Sequence, residues 1–362
     1  MKNERYDQSL FGEITSMKES EYNYYNKELK FNTEEINPLS CKEFITNYFK
    51  NGDKEDAFID IEELFDDITD RMIHSTVFFF LCVCFFKNDF YKNKIKSYID
   101  SFFSEKDSYP KDILRLLFLM CLYHDYGYVI EIEGRNKVEI DFYKESELEK
   151  ITNINKKFFS KPYDFFTITK YYEYRKYREH GIYGGTLLFH RLIKNFDNKA
   201  KYFEGNHFIF DGILYDKEKD MIFYALIASI IIKHNIWYAT DDRTIEEYEK
   251  NKLNSLIIKD QSKRLSFEKD PLLYIFCILD TIEPIKAFYD KEKENVVEIL
   301  KNVEFMTDKY SIRIRINNVG KMGEGKVQKY ICKITSLQDW LNVSFAYNGA
   351  PNPYREIEIN LK

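Results

Sequence analysis

The sequence predicts a mainly α-helical fold with a small β-rich region near its C-terminal end. Long apolar segments recur along the chain, with large side chains three and four residues apart, as on the buried face of a helix. From Tyr310 the pattern changes, and residues 310–316 alternate polar and apolar side chains as a strand does. We therefore predict a polar N-terminal arm (residues 1–59), a helical core (60–301) and a small β-rich C-terminal region (302–362).

The first 123 residues contain three segments with different patterns. Residues 1–59 are polar and rich in Tyr and Asn, and their weak periodicity predicts a loosely packed helical or irregular arm. Residues 72–86 are apolar on opposite faces, which predicts a helix that is buried all round. Pro110 indicates the start of a further helix, which carries the apolar run 113–123.

After residue 130 the sequence contains a long charged segment, which is followed by two apolar helices. The charged segment covers residues 131–178, and the apolar run 221–233 after it predicts a fully buried helix. Asp270 and Pro271 are typical of an N-cap and a first-turn proline. Because Pro284 has no N–H to donate to the carbonyl of Asp280, the helix that begins there should loosen about one turn past Asp280.

The C-terminal region is predicted to contain three strands. The first is the alternating run 310–316, the second covers residues 327–334, and the third is 357–359. Gly320, Gly323 and Gly325 are expected to form the turn between the first two strands.

Charge, cysteine usage and hydropathy exclude several classes of protein. The formal charge of −6 over 362 residues argues against a protein that coats bulk nucleic acid. The six cysteines form no Cys-x-x-Cys pair and lie mostly in apolar runs, which predicts reduced thiols and a cytoplasmic location. The N-terminus is polar, and the longest apolar run, residues 77–86, is too short to cross a bilayer. We therefore expect neither a signal peptide nor a membrane-spanning segment.

The apolar run that ends in His124 and Asp125 is the strongest functional signal in the sequence. A buried His beside a buried Asp is costly unless each side chain has a partner. A divalent metal ion would satisfy both side chains at once. The alternative is a neutral His124 hydrogen-bonded in the core, with Asp125 capping the next turn.

Other histidines and one aspartate lie in similar apolar settings. The chain has only six histidines, and His74, His180, His234 and Asp280 each lie in or at the end of a separate apolar segment. The order of these residues resembles that of the HD-domain superfamily of metal-dependent phosphohydrolases, over roughly residues 60–288. The strings that carry the resemblance are RMIHSTVFFFL, LYHDYGYVIE, EHGIYGGTLL, IIIKHN and LLYIFCILDTIEP.

The resemblance implies an HD-domain helical bundle with a defined set of metal ligands. The family's first metal would be held by four residues, and its second, in binuclear members, by two more histidines with Asp125 bridging the ions. Imidazole and carboxylate together suit Mn, Fe, Co, Ni or Zn, and the sequence does not choose among these metals or between one ion and two. The residues assigned to the first metal are His74, His124, Asp125 and Asp280, and those assigned to the second are His180 and His234.

The reaction that the resemblance implies is hydrolysis of a phosphoester by metal-activated water. The expected substrate is a nucleotide or a cyclic or oligomeric nucleotide. Besides Asp125, the expected catalytic residues are Lys233, which would stabilise charge on the phosphate, and Arg178. Gly127 and Tyr128 are followed by Val129, where cyclic-dinucleotide members carry proline, so that narrower substrate stays open.

Two features near His180 allow more than one interpretation. Arg175, Lys176 and Arg178 follow several tyrosines, and they are either phosphate clamps or amphipathic side chains on a solvated face. The glycines just after His180 indicate a close approach, either of another helix or of substrate.

Two other functions fit the same ligand set. The superfamily also contains mixed-valent di-iron oxygenases, and a non-catalytic nucleotide sensor could keep the metal pocket. Metal content, oxygen consumption and turnover separate these three functions.

Overall fold

Helices account for most of the chain, as the sequence predicts. The computed structural model describes residues 9–23, 31–32, 35–51, 69–103, 113–128, 137–210, 213–260, 263–293, 295–348 and 354–362. Within these ranges the fold is mainly α-helical and ends in a small antiparallel sheet, which confirms the predicted fold class.

The helices of these ranges vary in length from 4 to 23 residues. In chain order they are α1 (Leu10–Thr15), α2 (Glu19–Tyr22), α3 (Pro38–Asn51), α4 (Thr69–Phe86), α5 (Asp89–Asp100), α6 (Ile113–Tyr123), α7 (Lys137–Ile154), α8 (Phe165–Tyr174), α9 (His180–Tyr202), α10 (Lys217–Lys233), α11 (Asp242–Lys250), α12 (Pro271–Ile282), α13 (Ile285–Phe288), α14 (Val296–Asn302), α15 (Val319–Met322) and α16 (Glu324–Thr335).

The strands form two separate antiparallel sheets. A two-stranded hairpin, β1–β2, interrupts the helices, and a four-stranded sheet in the order β3-β4-β6-β5 lies near the C-terminal end. The strands are β1 (His207–Phe210), β2 (Ile213–Asp216), β3 (Val303–Thr307), β4 (Ser311–Ile316), β5 (Val343–Asn348) and β6 (Arg355–Leu361).

The described residues divide into two compact units. The first takes its residues from the ranges Met1–Asn51, Phe65–Tyr98 and Arg264–Lys362, and the second from Ile99–Lys263. The first unit is thus built from three stretches of the chain. The domain boundaries predicted after residues 59 and 301 stay predictions.

Aromatic packing on helix α4 forms much of the core of the first unit. Phe44 of α3 lies with its ring centroid 5.3 Å from that of Phe80 on α4, and both side chains are buried. Leu10 and Ile14 of α1 are fully buried as well. The N-terminal helices are therefore more closely packed than a polar composition predicts, because several of their apolar residues face the core. Residues 52–59 of the predicted arm lie outside the described residues.

The C-terminal sheet confirms two of the three predicted strands. Strands β4 and β6 pair in register, with Ile314 opposite Ile357 and Ile312 opposite Ile359, so one face of alternating residues is buried. The strand predicted over residues 327–334 is wrong, because this segment lies in helix α16. Its buried side chains follow the helical spacing i, i+3, i+4 and i+7, which places them on one face. They are Val327, Tyr330, Ile331 and Ile334.

In the second unit, helices α9 and α10 pack against each other and against α6 and α7. Arg115 of α6 is buried there, and its Nη2 donates to the Tyr224 hydroxyl at 3.3 Å. The guanidinium carbon also lies 5.6 Å from the centroid of the Phe223 ring. Burial raises the pKa of Tyr224 well above its usual value, so its hydroxyl stays protonated. An aromatic cation site of this kind allows a charged side chain to remain inside a helical core.

The state of the cysteines and the length of the apolar helices agree with the sequence analysis. The six cysteines are free, and burial raises the pKa of the Cys41 thiol to about 12. Within the described ranges no single helix is long and apolar enough to cross a membrane. One pair, Asp70–Phe86 with Asp89–Asp100, reaches the required length and composition only jointly, and it is bent by 102°.

Candidate metal centre

The second unit brings four of the predicted ligands together. Asp125, His180 and His234 each offer a ligand atom within 4.8 Å of the others, and all three side chains are buried. Asp125 Oδ1 lies 3.3 Å from His124 Nε2 and 3.9 Å from His180 Nε2. The ring of His234 lies beside both other imidazoles, with centroids 5.5 Å from His124 and 5.4 Å from His180. We call these four residues the candidate metal centre.

Helix ends deliver these side chains. His124 directly follows α6, and its backbone N–H still donates to the carbonyl of Met120 at 3.1 Å. His180 is the first residue of α9, and His234 is the C-cap of α10. One helix therefore begins at His180 and another ends at His234, which agrees with their positions in separate apolar segments of the sequence.

The hydrogen bonds of two imidazoles determine which ring nitrogen faces the aspartate. Nδ1 of His124 donates to the carbonyl of Cys121 at 2.7 Å, and Nδ1 of His234 donates to that of Ile231 at 2.6 Å. A carbonyl oxygen only accepts, so Nδ1 carries the proton in each ring. In the neutral ring Nε2 then keeps its lone pair, and a backbone partner on the other nitrogen is the usual support of a metal-binding histidine. The donor set therefore fits a divalent transition metal.

Glycines allow the backbones that carry the candidate metal centre to approach closely. A Cβ atom on Gly127 would lie 2.0 Å from the carbonyl oxygen of His180. On Gly181 it would lie 2.7 Å from the carbonyl oxygen of Ile231 and 3.1 Å from the His234 ring. The glycines after His180 thus serve tight packing between helices, which was one of the two interpretations of the sequence.

We expect Gly127→Ala to destabilise the second unit by about 3 kcal/mol, because the clash is with backbone atoms that cannot rotate away. Urea unfolding followed by circular dichroism measures the loss. Gly205→Ala is the matched control, since its Cβ would meet nothing closer than 3.8 Å. Equal stability of the two variants would show that the chain around Gly127 relaxes freely.

Three neighbours of the candidate metal centre were not found from the sequence. The ring of Tyr128 stacks on His180 with centroids 4.0 Å apart. Glu179 caps α9 through Oε2, which accepts from Ile182 N at 2.6 Å, and its Oε1 accepts from Asn235 Nδ2 at 2.7 Å. Glu179 directly precedes His180, and Asn235 directly follows His234. That adjacency to a predicted ligand was the only signal in the sequence.

In the first unit, the structure brings His74 and Asp280 together. His74 Nε2 lies 3.3 Å from Asp280 Oδ1, and Nδ1 donates to Glu283 Oε2 at 2.6 Å. Lys286 Nζ donates to Asp280 Oδ1 at 2.6 Å. Helix α12 ends at Ile282, about as far past Asp280 as Pro284 predicts. That end allows Glu283, which sequence reasoning missed, to turn back onto His74.

Glu283 holds three donors and is only 1% exposed. Besides His74, its oxygens accept from Ile285 N at 2.9 Å and Lys286 N at 3.3 Å. Glu283→Ala should therefore lower the free energy of unfolding of the first unit by about 1–3 kcal/mol, because buried donors lose their acceptor. Denaturant unfolding tests this, with the exposed Glu298→Ala as control. A loss no larger than that of the control would contradict the bonding role of Glu283.

The remaining predicted site residues lie in the second unit. Lys233 is 3% exposed, with Nζ 6.0 Å from the centroid of the Tyr163 ring, and Arg178 is exposed. Their catalytic roles stay predictions, as does the prediction that His74 and Asp280 bind the same metal as the centre of the second unit.

No protein-family model, curated protein or solved structure matches the chain. Fold and site therefore define its class: a mainly α-helical protein with buried His/Asp clusters that could hold a metal ion.

Proposed function

We propose that the protein is a metal-dependent phosphohydrolase of the HD type that acts on a phosphoester of a nucleotide or of a cyclic or oligomeric nucleotide. The observation that carries the proposal is the candidate metal centre, where Asp125 faces the Nε2 atoms of His124 and His180. A divalent metal bound there would lower the pKa of a water molecule and neutralise charge on a phosphoryl group. The resemblance also assigns His74 and Asp280 as ligands, and that assignment stays a prediction.

The part of the chain just before His180 supports an anionic substrate. Arg175, Lys176 and Arg178 are exposed and follow directly on helix α8. Lys176 and Tyr177 adopt positive φ angles of 54° and 61°, so the chain turns sharply between α8 and α9. We call residues 175–178 the basic loop. Its guanidinium groups suit bidentate contacts to phosphate oxygens.

Burial strengthens the electrostatic interactions of the side chains in the candidate metal centre. Because His124 and Asp125 are almost fully buried, bulk water does not compete with their interactions. Lys233, also buried, directly precedes His234 in the sequence. Its ammonium group is our candidate for holding negative charge on the substrate, as Arg178 is from the basic loop.

Elemental analysis followed by a substrate panel tests the proposal. The purified protein should contain Mn, Fe, Co, Ni or Zn, and it should hydrolyse at least one nucleotide, cyclic nucleotide or cyclic dinucleotide. Chelation should abolish hydrolysis, and one of these metals should restore it. Bound iron with oxygen consumption and no hydrolysis would indicate the oxygenase instead. Nucleotide binding without turnover under any metal would indicate a sensor.

A further inference from the structure

The chain just after His234 holds an exposed tryptophan in a fixed position. Trp237 is 45% exposed, and its indole Nε1–H donates to Asn235 Oδ1 at 2.8 Å. The amide of Asn235 donates in turn to Glu179, the cap of the helix that begins at His180. A carboxylate accepts and an indole N–H donates, so both ends of the Asn235 side chain are determined by their partners. The indole is thereby tied to residues adjacent to both His180 and His234.

Two tyrosines hold the backbone under this indole. Tyr171 donates its hydroxyl proton to the carbonyl of Asn235 at 3.2 Å and accepts from the N–H of Trp237 at 3.5 Å. Tyr248 donates to the carbonyl of Trp237 at 2.9 Å. An aromatic ring on a chain held in this way loses little conformational entropy when a ligand stacks on it.

The same tyrosine connects Trp237 with the basic loop. Burial raises the pKa of Tyr171, with further increases from Tyr248 and Glu179, and the positive charge of Arg175 partly opposes them. Arg175 is also the C-cap of helix α8, in which Tyr171 lies one turn earlier, and its N–H donates to the carbonyl of Tyr171. The Tyr171 side chain thus contacts the segment that carries Trp237, while its backbone holds the start of the basic loop.

We propose that Trp237 is a stacking platform for the base of a nucleotide whose phosphate faces the basic loop and the candidate metal centre. The inference rests on the proposed function and deepens it by naming the residue that would bind the base of the nucleotide. An indole offers a π-face to a base and nothing to a phosphate, whereas arginine serves the phosphate. Trp237 lies three positions after His234, so their Cα atoms lie at most about 11 Å apart.

Tryptophan fluorescence tests where a nucleotide binds. The chain has two tryptophans, and the other one, Trp340, is only 4% exposed. Adenosine 5′-monophosphate should quench the emission of the wild-type protein, while ribose 5-phosphate, which lacks the base, should quench it much less. In Trp237→Phe the nucleotide should leave the remaining emission unchanged. Equal quenching by both compounds, or quenching that persists in Trp237→Phe, would overturn the inference.

Equilibrium dialysis with radiolabelled adenosine 5′-monophosphate measures the affinity without relying on fluorescence. Trp237→Leu should bind roughly tenfold more weakly or worse, which is the order of effect expected from the loss of one base–aromatic stack. Trp237→Phe, which keeps an aromatic ring, should retain much of the affinity. Tyr202→Leu, at another exposed aromatic residue of the second unit (81% exposed), should bind as the wild type does. Unchanged affinity in Trp237→Leu would overturn the inference.

These measurements separate the inference from the proposed function. Trp237-dependent nucleotide binding without turnover of any phosphoester would contradict the phosphohydrolase and leave the stacking site supported. Turnover of a phosphoester without Trp237-dependent nucleotide binding would contradict the stacking site and leave the phosphohydrolase supported.

Discussion

Asp125→Ala is expected to reduce the bound divalent metal to background level. Asp125 supplies the carboxylate that faces His124 at 3.3 Å and His180 at 3.9 Å. Neutral imidazoles alone bring no charge to balance a divalent ion in a buried site, and an uncompensated buried charge is strongly disfavoured. His124→Ala should have the same effect, because it removes a ring whose Nε2 faces Asp125. Mass spectrometry of the metal content after dialysis measures the loss.

His207→Ala is the matched control for this experiment. His207 belongs to the same unit but lies on strand β1, is 72% exposed and has Asp216 at 3.3 Å as its ion-pair partner. It should keep the full metal content. Circular dichroism of each variant separates loss of metal from loss of fold. Equal metal in the wild type and in folded Asp125→Ala would refute the metal centre.

The sequence identified the histidines because each lies where an apolar segment starts or stops. His180 lies just after the charged segment and precedes glycines, and His234 ends an apolar run, so the sequence places both at the edges of segments. Buried imidazoles are rare in such segments and therefore conspicuous. How the segments pack could not be predicted, because the contacts of Gly127 and Gly181 depend on backbones fifty or more residues away along the chain.

Polar partners of the predicted ligands and of their neighbours were missed for a related reason. Glu283 and Asn235 look like ordinary surface residues in the sequence, and only the tertiary fold aims them at His74 and Glu179.

The segment 327–334 was mistaken for a strand because its β-branched and aromatic residues favour strands, while their helical spacing predicts a helix. Burial of one face decided between these two preferences in favour of the helix.

His234→Ala is expected to lose most hydrolysis while keeping about one metal ion per chain, if Asp125 bridges two ions as the resemblance implies. His234 and His180 come from two helices that meet at Asp125, and their ring centroids lie 5.4 Å apart. Removing His234 takes away one nitrogen ligand from that group and leaves the pair of His124 and Asp125 in place. Metal content and turnover must be measured on the same preparation.

His190→Ala is the control for that measurement, because His190 lies on the same helix as His180 but faces Glu147 at 3.4 Å. It should keep both metal and activity. If His234→Ala loses all its metal, His234 belongs to a single site and the centre does not hold two ions in the predicted way. If it keeps full activity, His234 is a structural histidine whose Nδ1–H simply caps the carbonyl of Ile231 at the end of α10. The proposed assignment requires the intermediate result, in which one metal stays and turnover is lost.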